Sequence, residues 1–501
     1  MWSWSRRLST LELSAGLRIP SRVAKVARRL ADLDEAASPR FFGSPRFDRL
    51  LKTTASLCPE CLAHVPGLVF TRDGRVLIAK RCEEHGTREA VLENDERFYF
   101  LSNKDHTGRR FAEDRVLAIP EYGGGCCGPD GGACAPSAPS AFAPHTDQMP
   151  NKTCTLLVEI TNACNLACPV CYSDAKGDRK MPRADFERYI DALIAAKGGL
   201  DSVQLTGGEA MMHPEFWEFV AFLHGRSGIK KIYIPTNGLL LANRATAEKL
   251  VPFRSKVMVL LQFDGAGAAT NEALRAANPE KARQKVIAEL DRLGIAMQLT
   301  MTLTRGVNED QVGWVVGQGL AHSNVKVIAL QPATYSGRYE LEPDPLSRLT
   351  MSDVLKAVVS QVPRPKVRAE DFASIPCSHP NCGWITLFVR RFGLSRNIMR
   401  YVDLPAIMNE VAYKTLLSTT ELRRVVGARS RLAALGRRLV RSTDIFTIAI
   451  KPFMDRHSYD QDRIANCCHH LMDTGGRAVS FCEYNALVRP RDSWAKFPML
   501  R

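Results

Sequence analysis

The sequence predicts an α/β protein built on a parallel sheet, with a cysteine-containing module before it and an irregular, mainly helical extension after it. Between residues 155 and 340, six short β-like runs alternate with helical stretches. This alternation calls for parallel strands joined by right-handed crossovers, in the form of a partial (β/α)6 barrel. The 501 residues, 45% of them hydrophobic, suffice for several domains with sizeable cores.

Composition changes divide the chain into five segments. Residues 1–50 form a basic leader, 51–100 a metal-binding module, 101–154 a Gly/Pro/Ser-rich linker, 155–340 the barrel, and 341–501 a cysteine-rich C-terminal domain. Fifteen cysteines without a secretory hydrophobic segment predict a cytoplasmic, reducing location and several metal sites instead of disulfides. No run of about 18 apolar residues occurs, so we expect no transmembrane helix.

The net charge of +15 is concentrated in two stretches. Residues 1–30 combine Trp and Leu with seven basic residues, and residues 421–441 hold seven arginines against one acid. Both stretches predict basic amphipathic helices, which bind anionic membrane surfaces and would keep the protein peripheral to a membrane. A solvated helix face packed on its own domain explains each stretch equally well. No aromatic-rich RNA-binding signature accompanies them, so we expect no nucleic acid partner.

The first metal site is predicted in the module of residues 51–100. Cys58 and Cys61 form one C-x2-C knuckle, and Cys82 with His85 forms a second after a hairpin-like stretch that turns at residues 73–74. This spacing matches a tetrahedral zinc site or a rubredoxin-like iron site. His85 is either the fourth ligand or a surface residue beside three thiolates.

The linker carries cysteines that a flexible segment seldom needs. We interpret four of them as ligands of an auxiliary iron–sulfur cluster: Cys126, Cys127, Cys134 and Cys154. The alternative is that Cys154 is a small core residue and Cys126 a bystander.

The most informative feature is the run NACNLACPVCY, in which Cys164, Cys168 and Cys171 have C-x3-C-x2-C spacing directly after the first barrel strand. Three thiolates suit a [4Fe–4S] cluster and leave one iron without a cysteine ligand. An open coordination position is what a reactive metal centre needs. Zinc is the competing interpretation.

Polar and glycine residues stand where the following strands end. Gly207, Gly208 and Glu209 follow the second strand. Glycine permits close backbone approach, and a carboxylate can pair with an ammonium group. Further candidate cofactor or substrate contacts are Asn237, Gln262, Asp264 and Gln331 at strand ends, and Arg338 in the loop after the sixth strand. Parallel α/β barrels place their chemistry at this edge.

The C-terminal domain contains two more cysteine groups, IPCSHPNC and ANCCHH with FCEYN. We predict a second auxiliary cluster whose ligands are drawn from Cys377, Cys382, Cys467, Cys468 and Cys482, with one of the adjacent pair used. Ordinary buried thiols explain one or two of the five.

These motifs together resemble the radical S-adenosylmethionine (SAM) superfamily. The order of the metal knuckles, the cysteine-rich linker, VEITNACNLACPVCY, LTGGEAMMHPEF, LQFDG, PCSHPNC, NCCHH and FCEYN is similar to the group of tetraether lipid synthase and pterin methyltransferase-like proteins, over residues 50–490. The resemblance implies an enzyme with SAM on the Cys164–Cys171 cluster, two auxiliary [4Fe–4S] clusters and a mononuclear iron or zinc. The long Ala/Pro/Ser insertion in the linker departs from the family pattern.

The resemblance implies hydrogen abstraction from an unactivated sp3 carbon by a 5′-deoxyadenosyl radical. Because basic amphipathic flanks favour a membrane lipid, we expect coupling of lipid alkyl or acyl chain ends. The alternative is methylation of a pterin-like small molecule, which a polar pocket with acidic and amide groups would favour. Either reaction requires an electron donor such as a ferredoxin, a flavodoxin or a reductase. A non-enzymatic iron–sulfur carrier is the remaining class, which the GGE motif disfavours.

Overall fold

Six parallel strands form the centre of the protein in a computed structural model of the chain. The structure describes residues 21–31, 33, 37–99, 153–173, 175, 177–341, 343–375, 378–391, 394–401, 419–420, 441–465 and 467–500. The strands are β5 (Thr155–Thr161), β7 (Leu200–Gly207), β8 (Ile229–Thr236), β9 (Val257–Gln262), β10 (Ala296–Leu303) and β11 (Val325–Pro332). They pair in chain order and all run parallel, which confirms the predicted barrel topology.

Helices cover the outer face of these strands, because apolar side chains on both layers leave water there. The longer ones are α3 (Arg183–Lys197), α4 (Phe216–Gly225), α6 (Ala268–Arg275), α7 (Glu280–Arg292) and α8 (Val312–Ala321); the shorter α5 is Arg244–Glu248. Val203, Ile232, Val259 and Leu299 of the strands are fully buried in the same core as Phe219 of α4. At about 1.5–3 kcal/mol per buried large apolar side chain, this core contributes most of the fold's stability.

The C-terminal segment extends the sheet at both edges. After α9 (Met351–Gln361), its elements are β13 (Ala373–Ser374), β14 (Trp384–Arg391), β15 (Leu394–Asn397), β16 (Ile445–Ile450), α10 (Gln461–Ala465), β17 (His469–Met472), β18 (Ala478–Ser480) and α11 (Phe481–Glu483). β16 runs parallel to β11, and β17 runs parallel to β5. The sequence pattern predicted the helical part of this extension but not the strands. The resulting sheet has twelve strands.

A separate four-stranded antiparallel sheet forms the metal-binding module. Its strands are β1 (Arg49–Leu57), β2 (His64–Arg72), β3 (Arg75–Cys82) and β4 (Gly86–Glu93), and two helices precede them, α1 (Ser21–Ala31) and α2 (Ala37–Phe41). The predicted turn joins β2 to β3, with Asp73 at φ 51° and Gly74 at φ 73°. Two consecutive positive φ angles match the right-handed twist of the hairpin.

Helix α1 belongs to the basic leader, and its apolar side is covered. Val23, Val26 and Leu30 are buried against Leu68 and Phe70 of this small sheet. The described part of the leader therefore packs on its own domain, which is the second of the two interpretations of that stretch. Residues 1–20 and most of the arginine-rich segment lie outside the described residues, and no described helix is long and apolar enough to cross a membrane.

Buried polar contacts fix the module on the C-terminal extension. Lys80 in β3 donates from Nζ to the backbone oxygens of Arg456 and His457, at 2.8 and 2.6 Å. Lys52 in β1 is ion-paired with Asp460 at 2.8 Å and with Asp462 at 3.0 Å. Because an unpaired buried charge costs several kcal/mol, these pairs hold the module in one position.

Candidate active site

The cysteine loop leaves β5 and crosses the carboxyl edge of the barrel. Cys164, Cys168 and Cys171 lie on it, each partly buried. Cys171 is in the short strand β6 (Val170–Cys171), which pairs with β12 (Arg338–Tyr339). The pKa of Cys164 is raised to about 11, mainly by burial and also by charge on Glu209 and the other two thiols, while the Leu166 backbone N–H opposes the increase. The three predicted thiols are thus brought together.

The GGE segment binds the backbone of this loop. Gly208 donates its N–H to the Thr161 oxygen at 2.9 Å, and Glu209 donates to the Ala163 oxygen at 2.8 Å. A Cβ at Gly207 (φ 140°) would stand 2.0 Å from the Thr161 oxygen, and one at Gly208 would stand 2.0 Å from the Ala163 oxygen. The sequence predicted close approach of a ligand here. The structure instead shows close approach of the cysteine loop itself.

The Glu209 side chain is buried at the end of β7 with one oxygen unused. Its Oε2 accepts hydrogen bonds from the Thr236 hydroxyl and the Asn237 backbone N–H, both at 2.9 Å. Its Oε1 is buried and has no hydrogen-bond partner among the described residues. Burial raises the pKa of Glu209 to about 7. A buried carboxylate oxygen without a donor is suited to a ligand that brings one, such as an ammonium group.

Asn237 connects the end of β8 to the cysteine loop. Its Nδ2 donates to Asn165 Oδ1 at 2.7 Å, and its own Oδ1 accepts from the Leu239 N–H at 3.0 Å. Both ends of this amide are occupied by protein groups, so the structure gives Asn237 a positioning contact. Direct contact with a cofactor remains a prediction.

Asp264 follows β9 and is fully buried between two arginines. Arg275 donates to both carboxylate oxygens, at 2.7 and 2.8 Å, and Arg283 lies at 3.4 Å. Gln262 donates to Oδ1 at 2.7 Å. Although burial opposes ionisation, the two guanidinium groups hold the pKa of Asp264 below its usual range. Asp264 was predicted as a cofactor contact, and its oxygens are already used to hold the arginines.

The two arginines are site residues that the sequence did not reveal, because an arginine in an amphipathic helix usually faces solvent. Burial opposes the charge of Arg275, whereas Asp264 and then Cys168 raise its pKa. Arg283 is 1% exposed, and its Nη2 has no partner among the described residues. Burial lowers the pKa of Arg283 to about 10. Positive charge therefore stands next to the cysteine loop.

Arg338 and Gln331 lie at the same edge. Arg338 is buried, donates from Nε to the Cys168 backbone oxygen at 3.1 Å, and leaves Nη2 without a partner in the described part of the chain. Gln331 is half-buried near the end of β11. Arginines around the loop favour a bound group with negative charge.

Two parts of this chain match known families. Residues 50–94 match the HMPTM N-terminal zinc ribbon domain, and residues 158–316 match the radical SAM superfamily. The second match spans the barrel, the cysteine loop and the GGE segment. This chain contains a radical SAM domain.

Relatives of this domain differ in how much of the chain they share. A 7,8-dihydro-6-hydroxymethylpterin dimethyltransferase from Methanocaldococcus jannaschii is 26% identical over 87% of this chain and 94% of its own length. A GTP 3′,8-cyclase from Pelotomaculum thermopropionicum is 33% identical, over 31% of this chain and 49% of its own length. The match to a radical SAM methyltransferase structure from Sphaerobacter thermophilus (14% identity, TM-score 0.34, 71% of this chain and 85% of that one) is too distant to bear on function.

A radical SAM domain implies SAM and a [4Fe–4S] cluster, and the residues present fit both. In the described part of the chain, only the zinc-ribbon set has three or more ligand atoms all within 4.8 Å of one another. The three loop thiols are therefore spaced too widely for one shared ion, which favours a multi-iron cluster over zinc. Cys164, Cys168 and Cys171 would hold the cluster. Glu209 Oε1 fits the SAM ammonium group, and the free arginine nitrogens fit its carboxylate.

The zinc ribbon brings its four predicted ligands together. His85 Nδ1 lies 3.6 Å from Cys58 Sγ and 3.5 Å from Cys82 Sγ, and Cys61 Sγ lies 3.9 Å from Cys82 Sγ. Three thiolates and one imidazole form a closed tetrahedral donor set, which suits structural zinc. The position of His85 supports it as the fourth ligand instead of a surface residue.

Three C-terminal cysteines also converge. Burial raises the pKa of Cys482 to about 12, and charges on Cys467 and Cys382 contribute to the increase. Arg463 donates from Nε to Cys382 Sγ at 3.4 Å. Cys468 is buried against Cys154 instead. Both Cys467 and Cys468 were candidates for this cluster, and the structure separates them.

Four predicted cluster ligands cannot be placed. Cys126, Cys127 and Cys134 in the linker and Cys377 before β14 lie outside the described residues. Their assignment to auxiliary clusters stays a prediction. Cys154 is buried and contacts Cys468, so it could serve either as a ligand or as the small core residue of the alternative interpretation.

Proposed function

We propose that this protein is a radical SAM methyltransferase that acts on a pterin-like substrate. The observation that carries the proposal is the similarity to the dihydropterin dimethyltransferase, which extends over 87% of this chain and 94% of that protein and so reaches well beyond the barrel. The lipid-coupling reaction expected from the basic flanks has no comparable support, since the described part of the leader packs on the ribbon.

The proposed reaction uses the chain's residues to position and shield the cofactor. When bound, a reduced cluster with SAM supplies a 5′-deoxyadenosyl radical. Glu209 would hold the SAM ammonium group through Oε1, while Arg283 and Arg338 would compensate negative charge around the loop. The hydrogen atom taken from a substrate carbon leaves on 5′-deoxyadenosine. A carbon–carbon bond to a methyl group would replace the broken C–H bond: a methyl donor would give up its methyl group as a cation equivalent and leave in demethylated form. The reductant would supply two electrons, one for cleavage of SAM and one for capture of the methyl group by the substrate radical.

We also infer that Cys382, Cys467 and Cys482 hold an auxiliary cluster. Support comes from their mutual proximity and from Arg463, whose guanidinium group would offset the negative charge of thiolate-bound iron. Replacing any one of them by Ala should lower the iron content of the reconstituted protein by up to one cluster. The iron bound by the barrel loop serves as the internal reference, because those three ligands remain.

The proposed function is tested by offering two substrate classes to the same enzyme. Anaerobically reconstituted protein is incubated with SAM and dithionite, together with 7,8-dihydro-6-hydroxymethylpterin or with a total lipid extract. We expect a pterin product heavier by one or two methyl groups, and no coupled lipid chains. Methyl-labelled SAM distinguishes SAM from another one-carbon donor. Lipid chain coupling without any pterin product would overturn the proposal.

A further inference from the structure

A cavity lies between the zinc ribbon and the carboxyl edge of the barrel. Its volume is about 40 Å³, and its apolar walls include Leu92 of β4, Leu349, Met351 and Phe453. This space corresponds to about three water molecules. A cavity of that size holds one polar edge of a ring, and the rest of the ring would lie toward the cavity's opening. The mechanism described above leaves this cavity unused.

Asn381 places an unpaired acceptor on the cavity wall. The residue is 7% exposed, and its Oδ1 is buried without a hydrogen-bond partner among the described residues. Its backbone N–H donates to His379 Nδ1 at 3.1 Å, which fixes the start of the short helical turn Pro380–Cys382. An unpaired buried amide oxygen is unfavourable, so its presence points to a ligand that donates to it.

Glu93 places a second acceptor on the cavity wall. Its Oε1 accepts from the Asn94 N–H at 2.8 Å and from the hydroxyls of Thr350 and Ser352, both at 2.5 Å. Oε2 receives no hydrogen bond from the part of the chain that the structure describes. The side chain is 2% exposed, and burial raises the pKa of Glu93 to about 7. One oxygen is therefore fixed by the protein, and the other remains available.

The cavity is close to the radical SAM loop. Phe453 on its wall contacts the ring of Tyr172, with the ring centroids 5.9 Å apart, and Tyr172 directly follows Cys171. Pro332, also on the wall, is the last residue of β11. One aromatic layer thus separates the cavity from the loop, so a ring held here lies at the same edge of the barrel as the predicted cofactor.

We propose that this cavity binds the donor edge of the heterocyclic substrate. A ring N–H and the neighbouring amino group would donate to Asn381 Oδ1 and Glu93 Oε2, and the apolar walls would contact the ring faces. The inference rests on the proposed function, because a pterin presents this pair of donors. A site built with two acceptors discriminates strongly against analogues that lack a donor.

The test measures binding of 7,8-dihydro-6-hydroxymethylpterin to the reconstituted protein by anaerobic calorimetry. Asn381→Leu removes one acceptor. Glu93→Gln keeps an oxygen for the donors at Oε1 and replaces the other carboxylate oxygen by an NH2 donor. Their matched controls are Asn278→Leu and Glu370→Gln, both at exposed positions. We expect each cavity variant to raise Kd about tenfold or more and each control to leave it unchanged. Iron content and melting temperature show whether each variant is folded. Because the two residues lie on separate elements, one folded variant is enough to test the cavity.

The outcomes separate this inference from the proposed function. If the wild type binds the dihydropterin and both cavity variants bind equally well, the cavity is not the site, while the proposed function stands. If the wild type does not bind it, both fail. A folded variant with weakened binding, beside an unaffected control, supports the cavity. Removal of the 2-amino group from the ligand should weaken wild-type binding and change variant binding much less.

Discussion

Replacing Glu209 by Gln tests the account of the SAM site. In the protein, Oε1 of this buried carboxylate has no donor among the described residues, whereas Oε2 is held by Thr236 and Asn237. The substitution keeps the shape and removes the charge. A hydrogen bond to a charged group contributes about 1.5–3 kcal/mol, so we expect SAM to bind about tenfold to a hundredfold more weakly.

The pH dependence gives a second, independent readout. Burial raises the pKa of Glu209 to about 7, so the carboxyl group is mostly protonated below that pH and cannot pair with an ammonium group. SAM affinity of the wild type should therefore rise as pH increases toward about 7 and level off above it. At one pH unit below the pKa, only about a tenth of the carboxyl is ionised, so Kd should be about tenfold weaker. The Gln variant should lose this dependence.

Equilibrium binding is measured on reconstituted, oxidised protein, which does not cleave SAM because no reductant is present. Glu218→Gln is the matched control, because Glu218 is exposed on the neighbouring helix α4. Iron content is measured for each variant. Wild-type affinity together with an unchanged pH profile in the Glu209 variant would refute the assignment of this carboxylate to SAM.

Four further predictions follow from the contacts described. Ala at Cys164, Cys168 and Cys171 together should abolish 5′-deoxyadenosine formation with dithionite, and residual formation above the no-enzyme level would contradict the cluster assignment. Gly208→Ala should lower iron incorporation, because the new Cβ would stand 2.0 Å from a backbone oxygen of the cysteine loop, whereas Gly225→Ala, with nothing within 4 Å, should not. Asp264→Asn should lower the free energy of unfolding, measured in urea, by about 3–5 kcal/mol, because the buried Arg275 and Arg283 lose their charged partner. Asp310→Asn, at an exposed position, is the control. Equal stability of the two variants would contradict a stabilising role for the Asp264 ion pairs. Burial raises the pKa of Glu93 from an ordinary 4.5 to about 7, so the protonated Glu93 stabilises the fold at low pH and this contribution is lost as pH rises from 4.5 to 7. The free energy of unfolding of the wild type relative to Glu93→Gln should therefore fall across that range. A difference that stays constant with pH would contradict the raised pKa.

The sequence predicted the elements whose signals are local. Alternating strands and helices predicted β5 and β7 to β11 in their observed order, and the two cysteine knuckles predicted the ribbon ligands, which lie at the β1–β2 and β3–β4 connections. These features depend on neighbouring residues, so periodicity and spacing are sufficient to find them. The strand ends likewise predicted which residues would gather at one edge, because parallel strands share that edge.

What the sequence could not predict depends on distant contacts. Asp264 was recognised as a strand-end residue, but its partners Arg275 and Arg283 are identified only by the folding of helices α6 and α7 against β9. Nothing in the sequence distinguishes the adjacent Cys467 from Cys468. They differ in the folded chain because Cys468 packs against Cys154. Strands β14, β16 and β17 also join the sheet. β16 pairs with β11, and β17 pairs with β5, each across more than 100 residues of chain, so a local sequence pattern cannot predict these pairings.

Deuterium transfer from the pterin to 5′-deoxyadenosine shows whether the radical abstracts hydrogen from this substrate. 7,8-Dihydro-6-hydroxymethylpterin carrying deuterium on its carbon-bound positions is incubated anaerobically with reconstituted protein, SAM and reductant, and the 5′-deoxyadenosine is analysed by mass spectrometry. We expect 5′-deoxyadenosine heavier by one mass unit, formed together with a methylated pterin. Unlabelled 5′-deoxyadenosine and an unchanged pterin, from protein that cleaves SAM, would contradict it.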